Sequence, residues 1–329
     1  ITAENYPSRL LDSPDCGGGI GDWLLSNGLV WAIVEDVNNQ SLISPSGGTL
    51  IDFGVIEGHA DQFVQLLQIL NMNRDVVIPY DRIHVDTGED WAAIVVSTSQ
   101  GLRPEQTGFG VPDAGLAEHI QVETEYRLNA GESFLRIKTT IFNNSSERIH
   151  IFNIADIIYW GDDTIKPFAG SQHRFGPSHG TPRGFHHPGV DTSSFLSLSQ
   201  AIGGYTCVAG GGGEGLPAVS YGLCSPVEYR KKNLLWGIND RMVSAIGVFT
   251  GDFRRTFDLW KIPFFGIEAG ENFLYERVLA AGHFAVTSEL GPPKSADIEV
   301  IKKKAAHLKD KVDGVNITYS DFNDEFGAK

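Results

Sequence analysis

From His119 to Trp160 the chain reads as strand, turn, strand, turn, strand. In the first stretch Val122, Thr124 and Tyr126 share one side of an extended backbone, and Gln121, Glu123, Glu125 and Arg127 share the other. That period of two predicts a half-buried strand. Asn129-Ala-Gly131-Glu has turn chemistry, with Gly131 free to take a positive φ. Leu135, Ile137, Thr139 and Ile141 then alternate with Phe134, Arg136, Lys138 and Thr140, and Asn143-Asn-Ser-Ser146 turns the chain again. The run Ile149–Trp160 is apolar on both faces, which predicts a central strand. The three together predict a large antiparallel meander.

The same pattern recurs on either side. Asn27-Gly28, between two apolar runs, predicts a hairpin. Strand-like runs fall at Asp81–Val85, Trp91–Ser97, Phe195–Leu198, Tyr205–Ala209, Ala218–Leu223, Leu234–Ile238, Met242–Thr250, Phe264–Glu268 and Phe273–Ala280. Two segments carry helical spacing instead. In Gln62–Asn73 the residues Phe63, Leu66, Leu67 and Leu70 fall at i, i+3, i+4 and i+7, with Asp61 placed as a cap. In Ala296–Val312 the apolar stripe is Ile298, Ile301, Ala305, Leu308 and Val312, and Gly314 follows near its end. The expectation is a mainly β protein with two packed antiparallel sheets over residues 1–294. A C-terminal amphipathic helix and tail fill 295–329.

Composition narrows the function classes. The 329 residues carry a formal net charge of −15, which argues against nucleic acid and against anionic membrane surfaces. No apolar run approaches the ~20 residues of a spanning helix. Cys16-Gly-Gly-Gly-Ile-Gly21 lacks the Lys-Ser/Thr ending of a phosphate-cradling loop and reads as turn glycines. Of Cys16, Cys207 and Cys224, the last two flank a glycine-rich loop; one disulfide and three thiols are both open. Asn39-Gln-Ser41, Asn143-Asn-Ser145 and Asn316-Ile-Thr318 fit the glycosylation sequon. The chain opens on Ile1 rather than Met, and the expectation leans towards a secreted or periplasmic protein.

The stretch Leu128–Ser146, followed by a strand bearing Asp156 and Trp160, resembles the central strands of the galactose-mutarotase-like β-supersandwich, with a weaker echo at Ile267–Arg277. Gly21–Val34, Gly47–Asp52 and Asp61-Gln-Phe63 also resemble the β module ahead of the metallohydrolase domain in exported bacterial proteins of the polymerase-and-histidinol-phosphatase class. That catalytic domain would bring a His-x-His pair, and this chain has none. Metal-dependent phosphoester hydrolysis is therefore not carried over.

Two places hold candidate chemistry. Ser171–Pro188 contains His173, Arg174, His179, Arg183, His186 and His187. Imidazoles suit transition metals, but no thiol or carboxylate interleaves with them, so neither a metal nor a cofactor is expected. Asp156 shares a strand face with Phe152, Ile154, Ile158 and Trp160, where an unpaired carboxylate is costly. It requires either a cationic partner such as an arginine or a cleft that raises its pKa, and the cleft is the expectation. The mutarotase resemblance implies acid–base residues on a concave sheet face, which Asp156 could reach with His150 nearby in sequence. Tyr159, Trp160 and Phe168 are candidate stacking surfaces for a sugar ring.

Two functions compete. One is a non-catalytic recognition or scaffold module for a glycan or cell-surface polymer. The alternative is a carbohydrate-active enzyme (epimerase, lyase or hydrolase) in which Asp156 pairs with a histidine such as His150 or His179. Oligomeric state is not legible in the sequence.

Overall fold

A computed structural model describes residues 1–6, 17–39, 44, 46–59, 61–71, 78–102, 118–149, 151, 153–161, 165–168, 205–210, 219–230, 232–233, 235–239, 243–250, 266–282, 287–290 and 314–317. The chain divides into two units, Ile1–Gly282 and His283–Lys329. Strands are numbered along the chain.

The first unit holds two antiparallel sheets. One has seven strands in the spatial order β1 (Trp23–Ser26), β2 (Val30–Val34), β3 (Leu50–Val55), β4 (Phe63–Leu70), β9 (Asn153–Trp160), β14 (Val243–Phe249), β13 (Leu235–Asn239). The other has eight, in the order β10 (Ile165–Phe168), β11 (Tyr205–Gly210), β12 (Ser220–Cys224), β15 (Asn272–Gly282), β8 (Phe134–Asn143), β7 (Ile120–Asn129), β6 (Trp91–Ser97), β5 (Arg82–Thr87). Alternation decides which residues meet between the sheets. Val122, Tyr126, Leu135, Ile137, Ile141, Tyr275 and Leu279 face inward from the eight-stranded sheet. They pack against Leu50, Phe53, Phe63, Leu66, Leu70, Ile154 and Ile158 of the seven-stranded one. The second unit contains a small parallel pair, β16 (Thr287–Leu290) with β17 (Gly314–Ile317).

The mainly β, two-sheet expectation holds, and helix in the described residues is limited to Tyr6, Glu57–His59 and the single turn Val227–Arg230. Asn27-Gly28 does form the β1–β2 hairpin, with Gly28 at φ 87.

Two expectations are corrected. The helix expected over Gln62–Asn73 does not form across Phe63–Leu70, which is strand β4, held between β3 and β9. A strand buried on both faces has apolar residues at nearly every position, so it also satisfies a helical template. A register shift between Phe63 and Gln65 turns Phe63, Leu66 and Leu70 to the same side. The second correction concerns the meander. Strands β7 and β8 are neighbours, but β9 crosses to the other sheet and lies between β4 and β14. Its two apolar faces do mark a central strand, in the opposite layer. The expected helix Ala296–Val312 and strand Phe195–Leu198 lie outside the described residues.

Candidate functional site

Asp156 is fully buried and points inward from β9. Arg277, fully buried on β15 of the facing sheet, grips it with two of its three guanidinium nitrogens: Nε donates to Oδ2 at 2.6 Å and Nη2 to Oδ1 at 2.7 Å. Burial pushes the carboxyl above the ordinary Asp value, while the charge and hydrogen bonds of Arg277 oppose the shift. The remaining Arg277 arm, Nη1, donates to Thr139 Oγ1 at 2.7 Å. From Thr139 the contacts run to Thr124 at 2.8 Å, then to Gln68 Oε1 at 2.9 Å, which also accepts from the Tyr80 hydroxyl at 2.6 Å. These side chains come from both sheets, so the network is an internal polar seam. The cleft expected at Asp156 is therefore corrected: the carboxylate is the anionic half of a structural pair, the alternative its apolar strand allowed.

The other sequence candidates separate. Trp160 is buried among Phe63 and Tyr221, and its indole N–H donates to Ser244 Oγ at 2.9 Å. It is a core residue and not a stacking platform, because it shares the inward face of β9 with Asp156. Tyr159 lies on the opposite face, half-buried and in register with Gln65 and Val243. Phe168 sits on β10 opposite Cys207, and its side chain lies outside the described residues. His150, His173, Arg174, His179, Arg183, His186 and His187 also lie outside them. Among the described residues, no group of three or more His, Cys, Asp or Glu side chains could hold a metal ion. No helix there is long and apolar enough to cross a membrane.

Two further sequence features find their places. The sequon residue Asn143 is buried, and its Nδ2 donates to the carbonyls of Glu147, Ile267 and Glu268 at 2.7, 2.9 and 3.0 Å. This amide pins a loop crossing. Cys207 faces Gly222 and Cys224 faces Tyr205, so the two cysteines are diagonal neighbours. Diagonal positions stand roughly 7–8 Å apart, wider than the Cα spacing that a disulfide spans.

The polar surface with a built geometry is the outer face of the eight-stranded sheet. Strands β7, β8 and β15 run side by side there, and their register lays Glu125, Lys138 and Glu276 in one row across the sheet. The next row brings Arg127 opposite Arg136. A cleft of about 240 Å³ opens over these residues, bordered by Pro226 and Val278. Each arginine is fixed in two ways. Arg127 Nε lies 3.0 Å from Glu125, and its guanidinium lies 3.9 Å over the Trp91 ring. Arg136 is held by Glu132 at 2.6 and 3.0 Å and lies 4.9 Å over the Phe134 ring. The bonds to Glu132 push the Arg136 pKa further up, so its charge is permanent. Lys138 stands between two carboxylates. The row Glu125–Lys138–Glu276 alternates in charge across three strands, and the two arginines beside it are held by Glu125 and Glu132.

Sequence patterning turns Glu125, Arg127, Arg136 and Lys138 outward, but nothing in it brings β15 beside β8. Glu276 and Arg277 are adjacent in sequence, one outside and one inside, and both are invisible as site residues until that pairing is known.

No family model matches the chain, and no curated protein matches it. Solved structures do. A galactose mutarotase related enzyme from Lactobacillus acidophilus is 8% identical over 80% of this chain and 97% of its own, with a TM-score of 0.41. A galactose mutarotase-like protein from Lactobacillus casei is 14% identical over 80% of this chain and 100% of its own, with a TM-score of 0.40. A putative aldose 1-epimerase from Escherichia coli is 10% identical over 81% of this chain and 100% of its own, with a TM-score of 0.42. The class that the structure itself defines is a mainly β, two-sheet antiparallel sandwich, and these mutarotase-like proteins are what it is similar to. The resemblance to the module of exported metallohydrolases rests on sequence alone.

Proposed function

We propose that the chain is a non-catalytic recognition module of an exported protein, taking a carbohydrate on the outer face of its eight-stranded sheet. The observation that carries this reading is the cleft over Glu125, Arg127, Arg136, Lys138 and Glu276, whose row Glu125–Lys138–Glu276 alternates acceptor and donor across three strands. A sugar hydroxyl donates one hydrogen bond and accepts others, so a grid of alternating carboxylates and cations suits it. A strongly charged polymer of either sign would meet like charges on such a grid. The volume is small beside the ~300–1,000 Å³ of drug-sized pockets and suits about one ring of a longer glycan. The non-catalytic part of the reading is supported by Asp156, the acid–base candidate, whose carboxylate is committed to Arg277. An oligosaccharide array tests the proposal. Wild-type protein should retain one class of neutral glycan without releasing new reducing ends, and Lys138→Ala should lose it. Release of reducing ends would favour the enzyme reading, with Glu125 and Glu276 as the carboxylates to substitute first.

A further inference from the structure

Strand β5 is the edge of the eight-stranded sheet, and apart from half-buried Ile83 every residue from Arg82 to Thr87 is exposed. An edge strand presents unpaired backbone donors and acceptors, ready to pair with another chain. Which of its groups are unpaired follows from two hydrogen bonds. Gly88 N–H donates to Trp91 O between β5 and β6, and Thr98 N–H donates to Val122 O between β6 and β7. Bonding direction alternates along an antiparallel strand. Odd-numbered residues of β6 therefore bond β5, and through the register Arg82↔Ser97, His84↔Val95 and Asp86↔Ala93 the even-numbered residues of β5 bond back. The N–H and C=O groups of Ile83 and Val85 are left pointing away from the sheet.

The charges of this edge invert when the strand is read in reverse. Arg82, His84 and Asp86 share the outer face, and Ile83 and Val85 share the inner one. Val85 is 45% exposed, one of few large apolar side chains so open to water in the described residues. Within the strand, His84 Nε2 stands 3.8 Å from Asp86 Oδ1, while Arg82 has no carboxylate partner among the described residues. Charges on an edge normally discourage pairing, but these are self-complementary about His84.

We propose that β5 pairs antiparallel with β5 of a second copy of this chain, about a two-fold axis at His84. In this register Arg82 stands opposite Asp86 of the second copy, and Asp86 opposite its Arg82. Ile83 and Val85 exchange backbone hydrogen bonds with Val85 and Ile83 across the axis, using the outward-pointing groups. The charged pairs occupy the non-hydrogen-bonded positions, where opposed side chains approach most closely. The interface is isologous, so the assembly closes at two copies instead of growing into a fibre.

Sedimentation velocity of the whole chain from about 1 μM to about 1 mM tests this. Wild type should shift with concentration from the 35.9 kDa chain mass towards twice that value. Arg82→Asp and Asp86→Arg should each raise the dissociation constant more than about tenfold, because each places like charges opposite one another twice. The double variant Arg82→Asp/Asp86→Arg restores opposite charges in the same register and should recover association to within about threefold of wild type. Val85→Pro removes an outward-pointing donor that the fold does not use, so it should melt like wild type and remain a monomer. A wild type that stays monomeric throughout overturns the proposal. So do single reversals that leave association unchanged, or a double variant as weak as the singles.

Discussion

Arg277 on one sheet and Asp156 on the other meet in the sealed interior of the sandwich through two hydrogen bonds of 2.6 and 2.7 Å. They are 121 residues apart in sequence and fully buried. Removing two charges from water costs several kcal/mol per ion, offset only where geometry and further hydrogen bonds are good. The contact of Arg277 with Thr139 and the seam through Thr124 and Gln68 supply those bonds. The pair fixes which strands face each other, since a one-residue slip of β9 or β15 would turn one charge outward and strand the other.

Trp160 should behave as core. Trp160→Ala removes the edge-on contact with Phe63, the tilted stack on Tyr221 and the bond to Ser244. A loss of ~3–5 kcal/mol in chemical denaturation is expected, while at permissive temperature glycan retention on an array should match wild type.

Gly247 should tolerate no side chain. The Trp236 ring lies across it, and an added Cβ would come within 2.6 Å of that ring. Gly247→Ala is expected to destabilise by about 1–3 kcal/mol, read as a lower denaturation midpoint with an unchanged slope.

Stability should carry a pH dependence traceable to Glu35. Burial first, and then the charge of Asp22, push its carboxyl from 4.5 to about 7, against a hydrogen bond from Thr49. The folded-state pKa is raised, so the associated stability is complete below 4.5 and is lost as pH rises through about 7. Thermal melts at intervals from pH 4 to pH 8, about one unit apart, should show wild type falling relative to Glu35→Gln, with Glu35→Gln the more stable of the two at the upper end.

Much of the fold is legible in the sequence, for a definite reason. Strands β7 and β8 have one wet and one dry face, so period-two alternation names their inward residues. Strand β4 is dry on both faces, and Phe63, Leu66, Leu67 and Leu70 fit a helix equally well. Strand β9 reveals its central position but not its sheet, because the Asn143–Ser146 turn is compatible with a hairpin or a crossing. The site is less legible. Asp156 stands out as a charge in an apolar strand, yet its partner is set by the non-local pairing of β15 with β8. The cleft row Glu125–Lys138–Glu276 requires that same pairing.

The measurement that bears most directly on the central claim, that Asp156 serves the sandwich rather than a cleft, is a double-mutant cycle on Asp156 and Arg277. Equilibrium denaturation of wild type, Asp156→Leu, Arg277→Met and Asp156→Leu/Arg277→Met supplies the four corners, with Asp156→Asn as an isosteric fifth variant. Asp156→Asn leaves a buried guanidinium uncompensated and should cost ~3–5 kcal/mol. The double apolar replacement should recover much of that loss, because neither charge then remains buried alone. An Asp156→Asn variant as stable as wild type would contradict the account and return Asp156 to the list of groups free to meet a ligand.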